Sequence, residues 1–502
     1  MLAAFAARCI GLDRSFILDE FRTINFSSLP VRELLKAIRL DSYPPFSYLI
    51  LSGWMNIAGG DIWIRLPFII FGMLSVVTAY LIGKELMDSK CGLAAMFLMA
   101  IMPMQVWISQ YARGISPSIF FTLVSTLFFL RLVKSDMGRR DILNIIGYAV
   151  SAIIAIYSFY FSFFIIMAQN VIYLGFNRDR PGRLLKWSLL QTAALIAFLP
   201  WAGGFQAQLK EANIINNFTT ILNSGLSIGG WQIGTYMRAF LGFLGLDQAL
   251  FVNTPLAKYI GNRMAAAAII SVLLIALSYL VWLLIKPPGG LEGARRAPGS
   301  KFSVRETVLI FSTFAVAPFA LSVLLNLSFK TPLTPRYLAT SSAFLIFVYA
   351  FKLYTIKTRP VMISILAVFI AISLWRLSDF TKTIIDYKNS SLFVKNNIQD
   401  NECLLFIVGD SAFEHYAGLP RHYIRSQDYI RRYKGVERSL KYLVNDEALK
   451  PRLEPFGAIW IYNSGEQMRG MVRYVLGLIE NYGYKKVKAA AFKGLTVFKY
   501  AK

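Results

Sequence analysis

Hydrophobic residues make up 56% of this 502-residue chain, and only 16% of its residues are charged. Ordinary globular chains carry roughly a quarter charged residues, so this composition excludes a protein that is soluble throughout. Segments 91–112, 187–209, 264–285 and 307–329 contain no Asp, Glu, Lys or Arg. Each matches the ~20 apolar residues with which a helix crosses a bilayer. The sequence therefore predicts a multi-pass protein of the cell membrane.

The net charge of +25 does not indicate a nucleic-acid partner. Many basic residues fall in short loops between apolar segments, where the positive-inside rule expects them, and no zinc-finger or RNA-binding signature is present. The three cysteines lie far apart, and the two histidines, His415 and His422, both follow the apolar segments. This pattern predicts no disulfide framework, no metal site and no cofactor.

The chain begins with an apolar segment, residues 1–12, that is too short to span a membrane alone. Either the true start lies upstream or the first helix is shortened. Further apolar segments are predicted at 64–83, 91–110, 115–133, 142–158, 159–176, 184–203, 264–285, 307–329, 337–354 and 360–379.

Segment 44–58 is ambiguous, because counting it as a span would reverse the side of the membrane on which every later loop is placed. If it does not span, the basic loops around 84–90, 131–140, 178–186, 295–305 and 352–359 share one side. The positive-inside rule places that side in the cytoplasm. Segment 44–58 is then an interfacial or re-entrant helix, and the bundle has about eleven crossings. Loops 13–63, 109–115, 204–263 and 329–337 are predicted to share the outer face.

The composition changes near residue 385. Cys403–Val408, Ala458–Tyr462 and Thr496–Tyr500 are predicted to be strands, and 436–444 and 466–481 are amphipathic stretches between them. The fold prediction is a polytopic α-helical membrane bundle over residues 1–384. A soluble α/β domain over residues 385–502 follows it on the extracytoplasmic side.

Acidic and basic residues recur in the loops assigned to the outer face. The first of these loops contains the pair Asp19-Glu20, and Asp41 precedes Pro44-Pro45 in the same loop. Arg113 and Arg336 lie in two very short outer turns. An acid pair can simply be solvated, and an arginine at a helix end can reach for lipid headgroups. Acids and arginines on one face nevertheless indicate a site that binds a phosphate and activates a hydroxyl.

The order of these elements resembles a known superfamily. Asp-Glu in the first outer loop, Pro-Pro, Arg65-Leu66-Pro67, Gln110-x-Ala-Arg113 and Arg336-Tyr337 follow one another over about residues 8–350. This order is similar to that of the C-type membrane glycosyltransferases, especially the protein O-mannosyltransferase and lipid A aminoarabinose transferase branch. The resemblance implies a polyprenyl-phosphate sugar donor, an inverting single displacement, and an active site at the outer membrane face without an obligatory metal.

Roles follow from the resemblance for the matching positions. Asp19 aligns with the acid taken as general base, and Glu20 with its neighbour. Arg336 and Tyr337 align with the pair near the donor phosphate.

Asp41, Pro44 and Pro45 match an Asp-x-His-Pro-Pro-like element, and Tyr43 stands where histidine is frequent. Asp41, Tyr43 and Arg113, the arginine of the Gln-x-Ala-Arg motif, are predicted to bind substrate. Tyr111 stands where many relatives carry Glu before Ala-Arg, so a carboxylate is missing there.

Two other classes of protein remain open. A transporter or flippase of lipid-linked saccharides shares the helix count, although such proteins tend to show paired halves and ionisable residues deep in their spans. A scaffold whose soluble domain binds glycans would tolerate replacement of Asp19, Arg113 and Arg336. The sugar and the hydroxyl acceptor, whether protein, lipid or glycan, are not identified. Aromatic residues such as Tyr160 and Trp201 are expected in an interfacial belt or along a groove for the isoprenoid.

The predicted topology is testable with single cysteines introduced into a cysteine-free background. Cysteines at Gly138 and Arg296 should react with an impermeant reagent only after the membrane is permeabilised, whereas one at Ile215 or after residue 385 should react in intact cells. The opposite labelling pattern would invert the orientation.

Overall fold

The computed structural model describes residues 1–57, 59–223, 302–329, 335–355, 358–380, 385–425, 428, 444–464 and 469–502. The predicted span 264–285, nearly all of the stretch 436–444, most of the loop 204–263 and most of the basic loop around 295–305 lie outside these ranges. The chain divides into two compact units. The first comprises Met1–Leu12, Val31–Leu209 and Ser227–Phe380, and the second comprises Asp13–Pro30, Lys210–Leu226 and Thr381–Lys502.

Helices account for nearly all of the described backbone before residue 381. In chain order they are α1 Leu2–Cys9, α2 Leu18–Ser27, α3 Val31–Ala37, α4 Phe46–Met55, α5 Asp61–Leu86, α6 Ser89–Ile101, α7 Pro103–Ser109, α8 Ile115–Leu132, α9 Ile142–Ser158, α10 Ser162–Asn177, α11 Pro181–Asn223, α12 Val304–Phe329, α13 Ala339–Thr355 and α14 Arg359–Phe380. Among these, α2 belongs to the second unit.

Several of these helices are suited to a bilayer. Within the described ranges, α5, α8, Arg139–Ser158 and Pro181–Lys210 are each long and apolar enough to cross alone, and the bent pair α6–α7 is a fifth candidate. The count of about eleven crossings stays a prediction. Helix α4 has 10 residues. At 1.5 Å per residue it is about 15 Å long, half of the ~30 Å hydrocarbon core, which agrees with an interfacial or re-entrant helix.

The predicted segment 91–110 is not one straight helix, because α6 and α7 meet at a bend of 62°. Met102, between them, has φ −59° and ψ 120°, outside the helical region. Pro103 causes this break, since it lacks an N–H and its ring crowds the preceding residue.

The bend leaves the last carbonyls of α6 without helical donors. The buried guanidinium of Arg8 in α1 supplies them, donating to the carbonyls of Met99 at 3.1 Å and Ala100 at 3.0 Å. A positive charge at a helix C-terminus is also favoured by the helix dipole. Arg8 therefore fixes α1 at the bend.

The second unit contains a five-stranded sheet with the order β2-β1-β3-β5-β4. Its strands are β1 Cys403–Val408, β2 Tyr423–Ile424, β3 Ala458–Ser464, β4 Lys485–Phe492 and β5 Leu495–Ala501. Strand β1 pairs in parallel with β2 and β3, and β5 pairs antiparallel with β3 and β4. The predicted strands correspond to β1, β3 and β5. Strand β4 was not predicted, because lysines and alanines are depleted in strands.

Within the described residues, this unit contains α2, the end of α11, α15 Tyr387–Asn397, α16 Asp410–Ala417, α17 Asp446–Leu453 and α18 Arg469–Asn481. The apolar face of α18 buries Val475 and Ile479 against Leu405 and Ile461 of the sheet. The region therefore has a small α/β core of its own.

Candidate active site

The turn between α7 and α8, residues 110–114, is buried throughout and connects several parts of the first unit. Gln110 donates from its amide to the carbonyls of Arg8 at 3.0 Å and Ile10 at 2.8 Å, at the end of α1. Tyr111 stacks on Trp107 of α7, with ring centroids 5.3 Å apart. A Cβ on Gly114 would lie 2.1 Å from the Ser158 carbonyl oxygen, so only glycine fits where α8 begins. The backbone of this turn is therefore closely constrained.

Arg113 of this turn forms a buried ion pair with Asp41. Its Nη1 lies 2.7 Å from Asp41 Oδ2, and the two residues are 2% and 5% exposed. The same Nη1 donates to the Tyr48 hydroxyl at 2.9 Å, and that hydroxyl donates to Asp41 Oδ2 at 2.5 Å. Three polar groups thus satisfy one another, as the burial of charged groups requires.

Burial alone would raise the pKa of Asp41. The Arg113 guanidinium and the hydrogen bonds from Tyr48 and the Ser42 amide outweigh it and hold the pKa of this carboxyl below its ordinary value. Asp41 is therefore an ion-pair partner of Arg113 and is ionised at neutral pH.

Tyr43 covers the ion pair. Its ring centroid lies 4.4 Å from Arg113 Cζ, a cation–π distance, and its ring stacks on Phe159. The structure thus brings Asp41, Tyr43 and Arg113 together as one cluster. Their direct contact with substrate stays a prediction.

Gln208, near the end of the first unit's part of α11, holds the loop that carries this cluster. Its amide donates to the carbonyls of Ile38 at 2.7 Å and Tyr43 at 2.8 Å. Its own oxygen accepts from the Tyr160 hydroxyl, which in turn accepts from Trp201 Nε1 at 2.8 Å. Tyr160 and Trp201 are thus parts of a hydrogen-bonded chain inside the protein.

Gln208 is not among the residues that the sequence motifs predict for the site. The available signal was its spacing of seven residues from Trp201, which places both on one face of α11.

Arg336, from a later part of the chain, contacts the same turn. It lies in the 3-10 helix Pro335–Leu338, is half-buried, and donates from Nη1 to the Tyr111 hydroxyl at 2.8 Å. One five-residue turn therefore places both predicted substrate-binding arginines. Tyr337 lies in the same short helix, and its side chain is outside the described part of the chain.

Asp19 and Glu20 belong to the second unit, in the first turn of α2. Glu20 is buried, and its Oε2 accepts from the Ile17 amide at 3.1 Å, which caps the N-terminus of the helix. Asp19 is half-buried. Among the described residues no group of three His, Cys, Asp or Glu side chains is arranged to hold a metal ion.

Residues 42–203 match the family model described as dolichyl-phosphate-mannose-protein mannosyltransferase. The matched stretch starts directly after Asp41 and includes Tyr43 and Arg113. It confirms the resemblance to the C-type membrane glycosyltransferases over about a third of the chain. No curated protein matches the sequence.

Two solved structures resemble the chain at low identity. The Archaeoglobus fulgidus oligosaccharyltransferase in complex with Zn and sulfate aligns at 12% identity over 99% of this chain and 73% of its own, with a TM-score of 0.51. ArnT from Cupriavidus metallidurans in the apo state aligns at 12% identity over 99% of this chain and 96% of its own, with a TM-score of 0.46. The first of these alignments shows a shared fold.

The ion pair predicts a pH-dependent loss of stability when Asp41 is replaced. Asp41→Asn leaves the Arg113 guanidinium buried without its counter-charge and should lower the free energy of unfolding by about 3–5 kcal/mol at pH 7. Because the pKa of Asp41 is lower in the folded than in the unfolded protein, its contribution is complete above the unfolded value of about 4. The contribution is lost as the pH falls through the folded pKa. The difference between wild type and variant, measured by denaturant unfolding in detergent, should therefore shrink below that pH.

Asp136→Asn is the matched control, since Asp136 pairs with Arg183 but its side chain is 85% exposed. It should change stability little. If Asp41→Asn at pH 7 unfolds at the same denaturant concentration as wild type, the ion pair does not hold the turn.

Proposed function

We propose that this protein transfers a sugar from a polyprenyl-phosphate donor to a hydroxyl acceptor. The family match over residues 42–203 carries the proposal, because the described family takes mannose from dolichyl phosphate and the matched stretch contains the Arg113 turn. The reaction takes place at the extracytoplasmic face of the cell membrane, where the loop charges put this turn.

The transfer is a single displacement at the anomeric carbon. The acceptor oxygen forms a bond to that carbon while the bond from the carbon to the phosphate oxygen breaks, so the configuration inverts. The acceptor loses a proton to a base, and the lipid leaves as a phosphate anion. A catalyst must therefore provide a proton acceptor and a positive group beside the phosphate.

Arg113 of the turn and Arg336, which is bonded to the turn, have different roles in this proposal. The charge of Arg113 is balanced by Asp41 in a buried pair, so Arg113 supports the turn. Arg336 is more exposed than Arg113, and its guanidinium fork donates from Nη1 to the neutral Tyr111 hydroxyl. Such a fork fits phosphate oxygens in a way that an ammonium group does not. Arg336 is thus the proposed contact of the donor phosphate, with Tyr337 beside it.

The acid pair also divides into two roles. One oxygen of Glu20 accepts the Ile17 amide, so Glu20 orients the first turn of α2. Asp19, its half-buried neighbour, is the proposed general base, because its carboxylate can accept the proton that the acceptor hydroxyl loses.

Replacing Arg336 tests the phosphate contact. Arg336→Ala should lower transfer by roughly 10²-fold or more, as loss of an electrostatic stabiliser does, and should raise the KM for the lipid donor. Arg336→Lys should recover only part of the activity. Arg178→Ala, which removes an arginine that is 82% exposed, serves as the control and should transfer normally. Normal turnover by Arg336→Ala would show that this side chain only reaches for headgroups.

Replacing Asp19 tests the base. Asp19→Asn keeps the shape and removes the proton acceptor, so transfer per folded molecule should fall by roughly 10²–10⁴-fold while donor binding persists. Glu20→Gln should cost less activity and more stability, because it weakens a helix cap. Asp13→Asn, at an exposed aspartate of the same loop, should be neutral. Near-normal transfer by Asp19→Asn would remove Asp19 from the mechanism, and parallel losses of melting temperature and rate in both acid variants would make the pair structural.

A further inference from the structure

The helix that carries the acid pair is built into the C-terminal α/β region. Residues 13–30 form one compact unit with residues 381–502, although more than 350 positions separate them in sequence. Helix α2 lies against α16 within this unit. The position of Asp19 therefore depends on contacts made by the C-terminal residues.

Hydrogen bonds with two helices of the C-terminal region fix the segment directly before α2. The Phe16 amide donates to the Tyr416 hydroxyl of α16 at 3.0 Å. The Lys388 amide of α15 donates to Ser15 Oγ at 3.1 Å. The Ser15 and Phe16 positions are thus attached to two different helices of the C-terminal region.

An aromatic cluster holds the same segment from its apolar side. Phe16 and Phe21 are completely buried and meet edge to face, with centroids 5.7 Å apart. Around Phe21 lie Tyr387 at 5.7 Å, His415 at 5.5 Å and Tyr416 at 5.6 Å, all in edge-to-face geometry, which aromatic rings prefer. His415 is exposed but contributes one side of this cluster.

Asp19 lies between the two buried anchors, three residues after Phe16 and two before Phe21. The Glu20 cap fixes where the helix begins, so little backbone freedom remains for Asp19. Tyr416 both accepts from the backbone before α2 and packs against the ring of Phe21 after Asp19.

We infer that Tyr416, with the aromatic cluster of the C-terminal α/β region, is a positioning residue that holds the acid-bearing helix α2 for transfer. The inference rests on the proposed function, in which Asp19 is the base. The C-terminal region is then a structural part of the transfer machinery and not a separate appendage that binds glycans. Displacement of a catalytic group by about 1 Å is enough to cost two orders of magnitude in rate, so a loosened α2 has a measurable effect.

The test compares Tyr416→Phe with Tyr484→Phe in the full-length protein in detergent. Tyr416→Phe removes the hydroxyl that accepts from the Phe16 amide and keeps the ring. Tyr484→Phe removes a buried hydroxyl of the same unit that donates to the carbonyls of Leu453 and Phe456, far in sequence from α2. Both variants lose a hydrogen bond from one unit, but only the first loses one to the segment before α2.

Two readouts are needed, hydrogen exchange of residues 15–27 and steady-state transfer. In Tyr416→Phe the Phe16 amide and the first turn of α2 should exchange about 5- to 10-fold faster, as loss of one hydrogen bond allows. The kcat should fall by about tenfold, while the KM for the lipid donor stays unchanged, because the base acts on the acceptor. Tyr484→Phe should leave both the exchange of 15–27 and kcat as in wild type.

Unchanged exchange in Tyr416→Phe would overturn the docking, whatever the activity. Faster exchange with a normal kcat would overturn the positioning role. Equal losses in both variants would reduce Tyr416 to a contributor to general stability and overturn the inference. A wild-type protein that consumes no polyprenyl-phosphate sugar would instead refute the proposed function, and the exchange data would still decide the docking.

Discussion

A guanidinium that is taken out of water needs a counter-charge or neutral hydrogen-bond acceptors, and the first unit is organised around Arg113, whose counter-charge is Asp41. Removing one partner from a buried ion pair leaves the other charge uncompensated, which costs several kcal/mol. Asp41 must therefore stay beside Arg113, and the loop between α3 and α4 is held against the turn between α7 and α8. Tyr48 completes the hydrogen bonds, and Tyr43 covers the cation with its ring. The positions of the neighbouring elements follow from this pair.

The turn between α7 and α8 is rigid because side chains donate hydrogen bonds to backbone carbonyls that the neighbouring helix ends leave without partners. Arg8 of α1 donates to carbonyls freed at the bend of α6, and Gln110 of the turn donates to carbonyls at the end of α1. Irregular backbone in a membrane bundle is tolerated only where such partners exist. Side chains supported in this way keep their geometry. Arg336, bonded to Tyr111, is placed by this rigid turn.

The elements that the sequence predicts are those determined by residues close together in the chain. Apolar length locates the helices α5, α8 and α9, because every backbone polar group in a bilayer must be satisfied within its own segment. Alternating and apolar runs locate β1, β3 and β5. Pro103 is a local signal for the bend at Met102, but the length of the apolar segment 91–110 predicted one uninterrupted helix. The pairing of Asp41 with Arg113 had no local signal in the sequence. The two residues belong to separate motifs, and each was predicted to contact substrate.

Long-range contacts explain what the sequence did not indicate. The hydrogen bonds of Gln208 to Ile38 and Tyr43 join residues more than 160 positions apart. The packing of Phe16 and Phe21 with His415 and Tyr416 joins residues nearly 400 apart. No periodicity or spacing in the sequence indicates that residues so far apart are in contact. The boundary predicted for the C-terminal region at residue 385 therefore omitted α2 from the unit to which it belongs.

The most direct measurement reconstitutes the purified chain in liposomes with a panel of labelled polyprenyl-phosphate sugars and, separately, nucleotide sugars. It follows donor consumption, release of free polyprenyl phosphate, and movement of intact donor between leaflets. The account predicts that at least one polyprenyl-phosphate sugar is consumed, that its phosphate lipid is released and its sugar appears on a hydroxyl with inverted configuration, and that nucleotide sugars are not used. Movement of intact donor across the membrane without consumption would contradict the account and identify a flippase.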